Sequence, residues 1–422
     1  MILGYQGERI AQLYRRFRVG MADMDAWWAG YASTVPAMAG SWLSFMYYGA
    51  GLWALFSVAL RRFPIDIPPP ARPFVLACLA FFAAMLLAAL VHGNLAALPR
   101  GMATATGFVF LPLLIARLRF SDPDRAWRMF RTYAPLGVLA GAIVGGFQLY
   151  TDSEISGGAG NPNVYAVMMA DLGVFSLAGV FVQRGRMQAL CIAAFLVASL
   201  AVLASGARTI WPVIVLAPLI LFFFARRHLS PARNRMIVAA LVAVVAVVGL
   251  LGHGKIASEY ENAMRDIELA TEERLDTSLG MRLALYRAGI EAMKERPLLG
   301  YGPQNKMDAV SGFLEERVSY LSFRHLHNAA LDSMVAAGIP GLLALAALFL
   351  TPFLLFTGNE GWADGRRFAL FAHLLIFALS GTTGALFTHD LLTVCFLLPI
   401  AILAATATRR EVEVNHPRVA AA

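Results

Sequence analysis

The chain has 422 residues, of which 59% are hydrophobic and only 15% charged, and its mean hydropathy of +0.63 lies beyond that of ordinary soluble domains. This composition excludes a water-soluble globular enzyme and specifies a polytopic membrane protein. The formal charge of +8 gives no reason to expect nucleic acid as a partner, because most of the arginines fall in short loops where membrane topology accounts for them.

From the N-terminus, Arg9, Arg15, Arg16 and Arg18 precede no apolar core with a small-residue cleavage site, so no removable signal peptide is expected. Apolar runs then recur near 36–60, 74–92, 102–118, 133–150, 163–182, 187–204, 209–225, 236–252, 338–357, 368–388 and 391–407. Runs of roughly 17–25 residues suit a helix crossing about 30 Å of hydrocarbon, and no ten-residue alternation suggests a barrel. The fold class is all-α. Cys78, Cys191 and Cys395 lie inside these runs and read as small buried side chains. No repeat of fixed period is present.

Loop charge sets the topology. Arg61, Arg62 and Arg72, the cluster from Arg117 to Arg131, Arg184 and Arg186, the cluster from Arg226 to Arg235, Arg366 and Arg367, and Arg409 and Arg410 occupy alternate connections, which the positive-inside rule places in the cytoplasm. The basic stretch "RIAQLYRRFRVG" also belongs inside, so one further crossing is needed. Met21 to Leu60 holds no Lys or Arg and at about 1.5 Å per residue reaches about 60 Å, enough for two tight crossings. The reading is about twelve helices with both termini cytoplasmic, with eleven and an interfacial N-terminal helix as the alternative. The chain divides into N-terminal transmembrane helices (1–252), a large periplasmic loop (253–327), and C-terminal transmembrane helices with a cytoplasmic tail (328–422). In the loop, "MRLALYRAGIEAMKER" aligns Leu285, Ala288, Ala292 and Met293 on one face, predicting short helices lying on the membrane.

Two arginines in short outer loops break the charge rule. Arg100 follows Pro99 and reads as a boundary charge. Arg208, in "SGARTIW", must sit at or just inside the outer surface, which is costly unless it meets an anion or a wet cavity; a snorkelling helix-end arginine is the structural alternative. In the loop, Arg265 and Arg282 are weaker candidates, and "GYGPQ" reads as a tight turn because it lacks the strand and helix of a dinucleotide fingerprint. Asn161 and Asn163 flank Pro162 at a helix start, where capping competes with a role in holding sugar or phosphate oxygens. His325 and His327 are two residues apart, so a helix would point them to different sides, and no HExxH, DxD or carboxylate cluster falls on the outer side. No metal and no cofactor is expected. A histidine at this interface also suits proton transfer near neutrality.

These pieces resemble the bacterial O-antigen ligases and the related O-antigen polymerases. The resemblance rests on His327-Asn328, nine residues, then Gly338 and Gly341; on "SGARTIW" with Arg208; on "SLGMR" with Arg282 followed by "RPLLGYG"; on "GNPN" at 160–163; and on one large late loop. It covers roughly residues 155–357. It implies a GT-C-type bundle in the bacterial inner membrane. The implied reaction, at the periplasmic face, transfers a polysaccharide from undecaprenyl pyrophosphate to lipid A-core oligosaccharide. On that basis His327 becomes the general base or the group that orients the acceptor hydroxyl, and Arg208 and Arg282 stabilise the leaving pyrophosphate, because a guanidinium is always charged and can bind phosphate through two parallel hydrogen bonds. Arg265, Asn161, Asn163, Arg324 and Asn328 are assigned to substrate binding. Gly338 and Gly341 read as close-approach positions between helices, and His389 and Asp390 as caps. An O-antigen polymerase differs only in acceptor, and a protein-glycosylating relative shares the chemistry. A transporter or flippase is disfavoured because the unexplained charge lies toward one face instead of mid-membrane.

Overall fold

The computed structural model describes residues 2–92, 96–151, 153–271, 277–314, 323–357 and 361–407; Arg409 and Arg410 lie outside the described residues. Among these the regular elements are all helical. In chain order they are α1 (Ile2–Thr34), α2 (Pro36–Ala39), α3 (Trp42–Ala59), α4 (Arg72–Val91), α5 (Leu98–Met102), α6 (Thr106–Phe120), α7 (Pro123–Tyr150) and α8 (Pro162–Ala178). They continue with α9 (Gly185–Ala204), α10 (Pro212–Ala225), α11 (Pro231–Thr271), α12 (Ser278–Glu295), α13 (Lys306–Ser311), α14 (Ala329–Leu350), α15 (Arg366–Thr383) and α16 (Asp390–Thr406). Eight among the described residues are long and apolar enough to cross a membrane. The more polar α1 and α15 and the shorter α6 and α16 pack beside them.

The first crossing departs from the sequence reading. Instead of two crossings confined to residues 21–60, α1 begins at Ile2 and runs to Thr34, and the span expected at 36–60 becomes α2 and α3. The long α1 carries Asp25 into the bundle, fully buried, where it is tolerable because Arg117 on α6 pairs with it. The Arg117 guanidinium lies over the Trp53 ring at 4.7 Å and the Trp28 ring at 5.7 Å.

At the centre, α8 is buried along its length. Its Asp171 meets His373 of α15 at 2.7 Å, and the second ring nitrogen of His373 is 3.1 Å from the Phe396 carbonyl of α16. One polar contact thus ties three helices, satisfying groups that an apolar core would otherwise reject.

The expected outer segment is built differently from a loop. The helix α11 has 41 residues, about 60 Å at 1.5 Å per residue, so residues 253–271 continue a helix beyond the thickness of a bilayer. The predicted apolar face of α12 is present, but protein covers it: Leu285, Ala288 and Ala292 pack with Tyr301, Val310, Leu326 and Val335. The expectation of helices lying on the membrane is corrected accordingly.

The "RPLLGYG" segment docks against a break in α14. Ala337 and Gly338 leave helical geometry, Gly338 at φ +64°, freeing backbone groups that the segment takes up. Tyr301 and Gly302 N–H donate to the Val335 and Ala336 carbonyls, and Ile339 N–H donates to the Pro297 carbonyl, each at 2.9 Å. A Cβ on Gly338 would stand 2.4 Å from the Leu298 carbonyl group, and its positive φ suits glycine alone. This glycine therefore admits an adjoining loop, not a neighbouring helix. Gly300 and Gly302, at φ +59° and +81°, form the expected tight turn.

Candidate active site

Three cavities meet at the end of the bundle where α12 and α13 pack. The first, about 460 Å³, is lined by Arg208, Arg282, Asn163, Thr209, Glu154 and Asp266, among others. The second, about 440 Å³, shares Asn163 and Thr209 with it and adds Asn161, Arg324, His325, His327 and His389. The third, about 240 Å³, shares Arg324 and Thr388 with the second and adds Arg100, Lys306 and Asp332. His327 thus borders the middle of a connected hollow.

Arg208 starts a short 3-10 turn before α10. Its Nε lies 3.0 Å from Glu259 Oε2, and its Nη1 donates to the Glu259 carbonyl at 3.2 Å. Lys255 meets the other Glu259 oxygen at 3.0 Å. The extension of α11 therefore steadies Arg208 while its side chain stays 41% exposed, enough to face an anion. The next residue, Thr209, shares a 2.7 Å hydroxyl hydrogen bond with Thr383 at the end of α15. Arg282 stands half-buried on the first turns of α12 and forms no ion pair with a carboxylate among the described residues.

Asn161 is a cap, as one of its two readings held: its side chain accepts from the Asn163 and Val164 N–H groups at 2.9 and 3.2 Å. Pro162 follows at the first helical position. Asn328 caps α14, accepting from Leu331 N–H at 3.0 Å, and its amide reaches the Thr382 carbonyl at 3.4 Å. Asn161 lines the second cavity, whereas Asn328 follows His327 in the chain and is not among the lining residues of the three. Arg265 is different: it lines a shallow hollow with Tyr260 and Glu268, which shares Ile267 with the first cavity but none of its arginines. The structure does not bring it to the other candidates.

His325 and His327 are not on a helix, so the argument that two-residue spacing separates them fails; their rings stand 4.2 Å apart. His327 has φ +51°, a region uncommon for non-glycine residues though less so for histidine. Neighbours hold it there. The Tyr286 hydroxyl donates to the His327 carbonyl at 2.9 Å, and Asp332, buried beneath the turn, accepts from Leu326 N–H at 3.2 Å and pairs with the buried Lys306.

Burial pushes the His327 imidazole from its usual 6.5 down to about 4, and the neighbouring His325 and Arg282 add to the fall, against an opposing pull from Asp332. Burial lowers His325 as well. His327 is therefore neutral across the physiological range and open to receive a proton. Among the described residues, no group of three or more His, Cys, Asp or Glu could hold a metal ion; the fixed cations are arginine and lysine. His389 begins α16 without a side-chain cap bond and is 3.5 Å from Asp390.

Sequence reasoning missed Lys306, Asp332, Tyr286 and the placement of Arg100. Asp332 had a signal: it is the one charge in the apolar run that follows Asn328. Tyr286 had none, because its role depends on where the His327 carbonyl falls.

The helical bundle and its membrane-length apolar helices define a polytopic membrane protein, and Arg208, Arg282 and Arg324 line cavities at one end of it. Residues 193–346 match the family profile described as O-antigen ligase, a stretch that contains Arg208, Arg282, His327, Gly338 and Gly341. Over that region the chain is similar to the O-antigen ligase family. The O-antigen ligase of Escherichia coli strain K12 is 24% identical over 228 residues, 50% of this chain and 52% of that protein. The exopolysaccharide production protein ExoQ of Rhizobium meliloti strain 1021 is 31% identical over 197 residues, 44% of this chain and 42% of that protein. An uncharacterized protein of Haemophilus influenzae is 31% identical over 170 residues, 37% of this chain and 40% of that one. The chain thus aligns with about half or less of the curated relatives it matches.

Proposed function

We propose that this protein transfers a polysaccharide from undecaprenyl pyrophosphate to lipid A-core oligosaccharide, at the periplasmic face of the inner membrane and in a GT-C-type bundle. The observation that carries the reading is His327: a neutral imidazole between a hollow with two arginines and a second mouth open to an acceptor. An acceptor sugar hydroxyl attacks the anomeric carbon, forming the new C–O bond as the bond to the pyrophosphate oxygen breaks. His327 takes the hydroxyl proton, undecaprenyl pyrophosphate leaves, and single displacement inverts the anomeric centre. Arg208 and Arg282 meet the charge growing on the leaving phosphate, and donors already in place stabilise it without reorganisation. Asn161, Asn163, Arg324 and Asn328 line or edge the path of the two sugars. The E. coli relative's name, O-antigen ligase, supports this acceptor over a growing lipid-linked chain.

The test is reconstitution of the purified protein with a lipid-linked polysaccharide and lipid A-core, with products followed by gel. Glycan-bearing lipid A-core is the expected product; lengthening of the lipid-linked chain alone would make the protein a polymerase. In the same assay Arg208→Lys is expected to lose about as much activity as Arg208→Ala, on the order of a hundredfold, because an ammonium cannot reproduce a two-pronged phosphate contact. Wild-type rates in the lysine variant would refute that role.

A further inference from the structure

The third cavity is not used by the transfer chemistry, and it contains the second arginine that the loop-charge pattern leaves unexplained. Arg100, at the end of α5, lines it together with Arg324, Lys306 and an apolar wall of Phe81, Met85 and Phe387. The charges do not cancel. Asp332 is the one carboxylate in the lining, and it is engaged by Lys306 and by the Leu326 N–H. Arg100 and Arg324 are exposed and form no ion pair or hydrogen bond with a described residue, so among the described residues two guanidinium groups stand without a carboxylate partner. Arg208, the other arginine that breaks the charge rule, lines the first cavity on the far side of His327. Cations therefore stand in the cavities on both sides of the proton acceptor, and one pyrophosphate occupies only one of them.

We propose that this third cavity is an anion subsite for the acceptor: Arg100, with Arg324, binds a phosphate group carried by the acceptor glycolipid. The assignment rests on the transfer reading for its acceptor. A guanidinium fork matches a phosphate in shape and charge, and the apolar wall beside it weakens solvent screening. Arg324 lines both this cavity and the one with His327, so a phosphate held here would leave the sugar beyond it beside the histidine.

The test reads binding without turnover. Lipid A-core bearing its phosphates, and the same glycolipid after dephosphorylation, are titrated onto the full chain in detergent by microscale thermophoresis. The variants are Arg100→Gln and Arg324→Gln, with Lys294→Gln as a charge control on the exposed face of α12. Dephosphorylation is expected to weaken wild-type binding about tenfold, the scale of one charge-assisted contact. Arg100→Gln should weaken the phosphorylated ligand by about the same factor and leave the dephosphorylated one unchanged, with Arg324→Gln acting in the same sense and Lys294→Gln matching wild type. Additive losses from dephosphorylation and Arg100→Gln would overturn the proposal. So would weaker binding of undecaprenyl pyrophosphate in Arg100→Gln, or displacement of the phosphorylated glycolipid by equimolar inorganic phosphate, which would assign the pocket to the donor or to free phosphate. Phosphate-dependent binding that is lost with Arg100 would stand even if no transfer occurred; that failure would count against the proposed reaction alone.

Discussion

Replacing His327 with asparagine or alanine is expected to lower the transfer rate by about a hundred- to ten-thousand-fold, the usual contribution of a positioned proton acceptor. Asparagine is the cleaner variant. It tolerates the positive φ of 51° at this position and remains polar, but it cannot take up a proton. The Tyr286 bond is to the backbone carbonyl of His327, so it survives the substitution, and the melting temperature should stay near that of wild type. The acceptor KM should change little, because the histidine acts at the reacting hydroxyl. Wild-type rates in the asparagine variant, at equal protein, would remove His327 from the chemistry.

Asp332→Ala is expected to cost about 3–5 kcal/mol of stability, the penalty of leaving a buried cation unpaired, read as a fall in the unfolding midpoint in detergent. Asp332 and Lys306 are 6% and 5% exposed, so water reaching the ammonium only from the cavity side compensates little for the lost carboxylate. The variant also strips the Leu326 N–H of its acceptor, loosening the turn that presents His325 and His327. The doubly apolar variant, Asp332→Leu with Lys306→Met, should recover much of the loss, since removing both charges leaves none unpaired. If the double variant were no more stable than Asp332→Ala, the lost pairing would not be the cause.

The helices were legible because a bilayer demands apolar runs of defined length. The limits were local. The run at 36–60 concealed the break between α2 and α3, and the pairing of Asp25 with Arg117, 92 residues apart, depends on the tertiary fold. Arg208 stood out by breaking the loop-charge rule and Arg282 only through the family resemblance; the structure places both in one cavity. Arg265 could not be separated from them, because direction around α11 depends on which face meets the bundle. The two histidines were misjudged through an assumption of helix geometry. Gly338 was singled out correctly as a close-approach position, but the approaching group, the backbone of residues 297–298, was invisible to a local reading. Asp171 and His373 lie 202 residues apart, and only the tertiary fold pairs them.

The central claim is that a neutral His327, poised by burial and neighbouring cations, accepts the proton in glycosyl transfer. The most direct measurement is the pH dependence of transfer by the purified protein, for wild type and His325→Gln. A proton acceptor must be unprotonated, so the rate is expected to hold as pH falls below the ordinary histidine value of 6.5 and to decline only near the depressed value of about 4. His325→Gln removes a lesser cause of the depression and leaves burial, the larger one, in place; its acid limb should move upward yet stay below 6.5. A wild-type limb at 6.5, or one that His325→Gln leaves unmoved, would contradict the account.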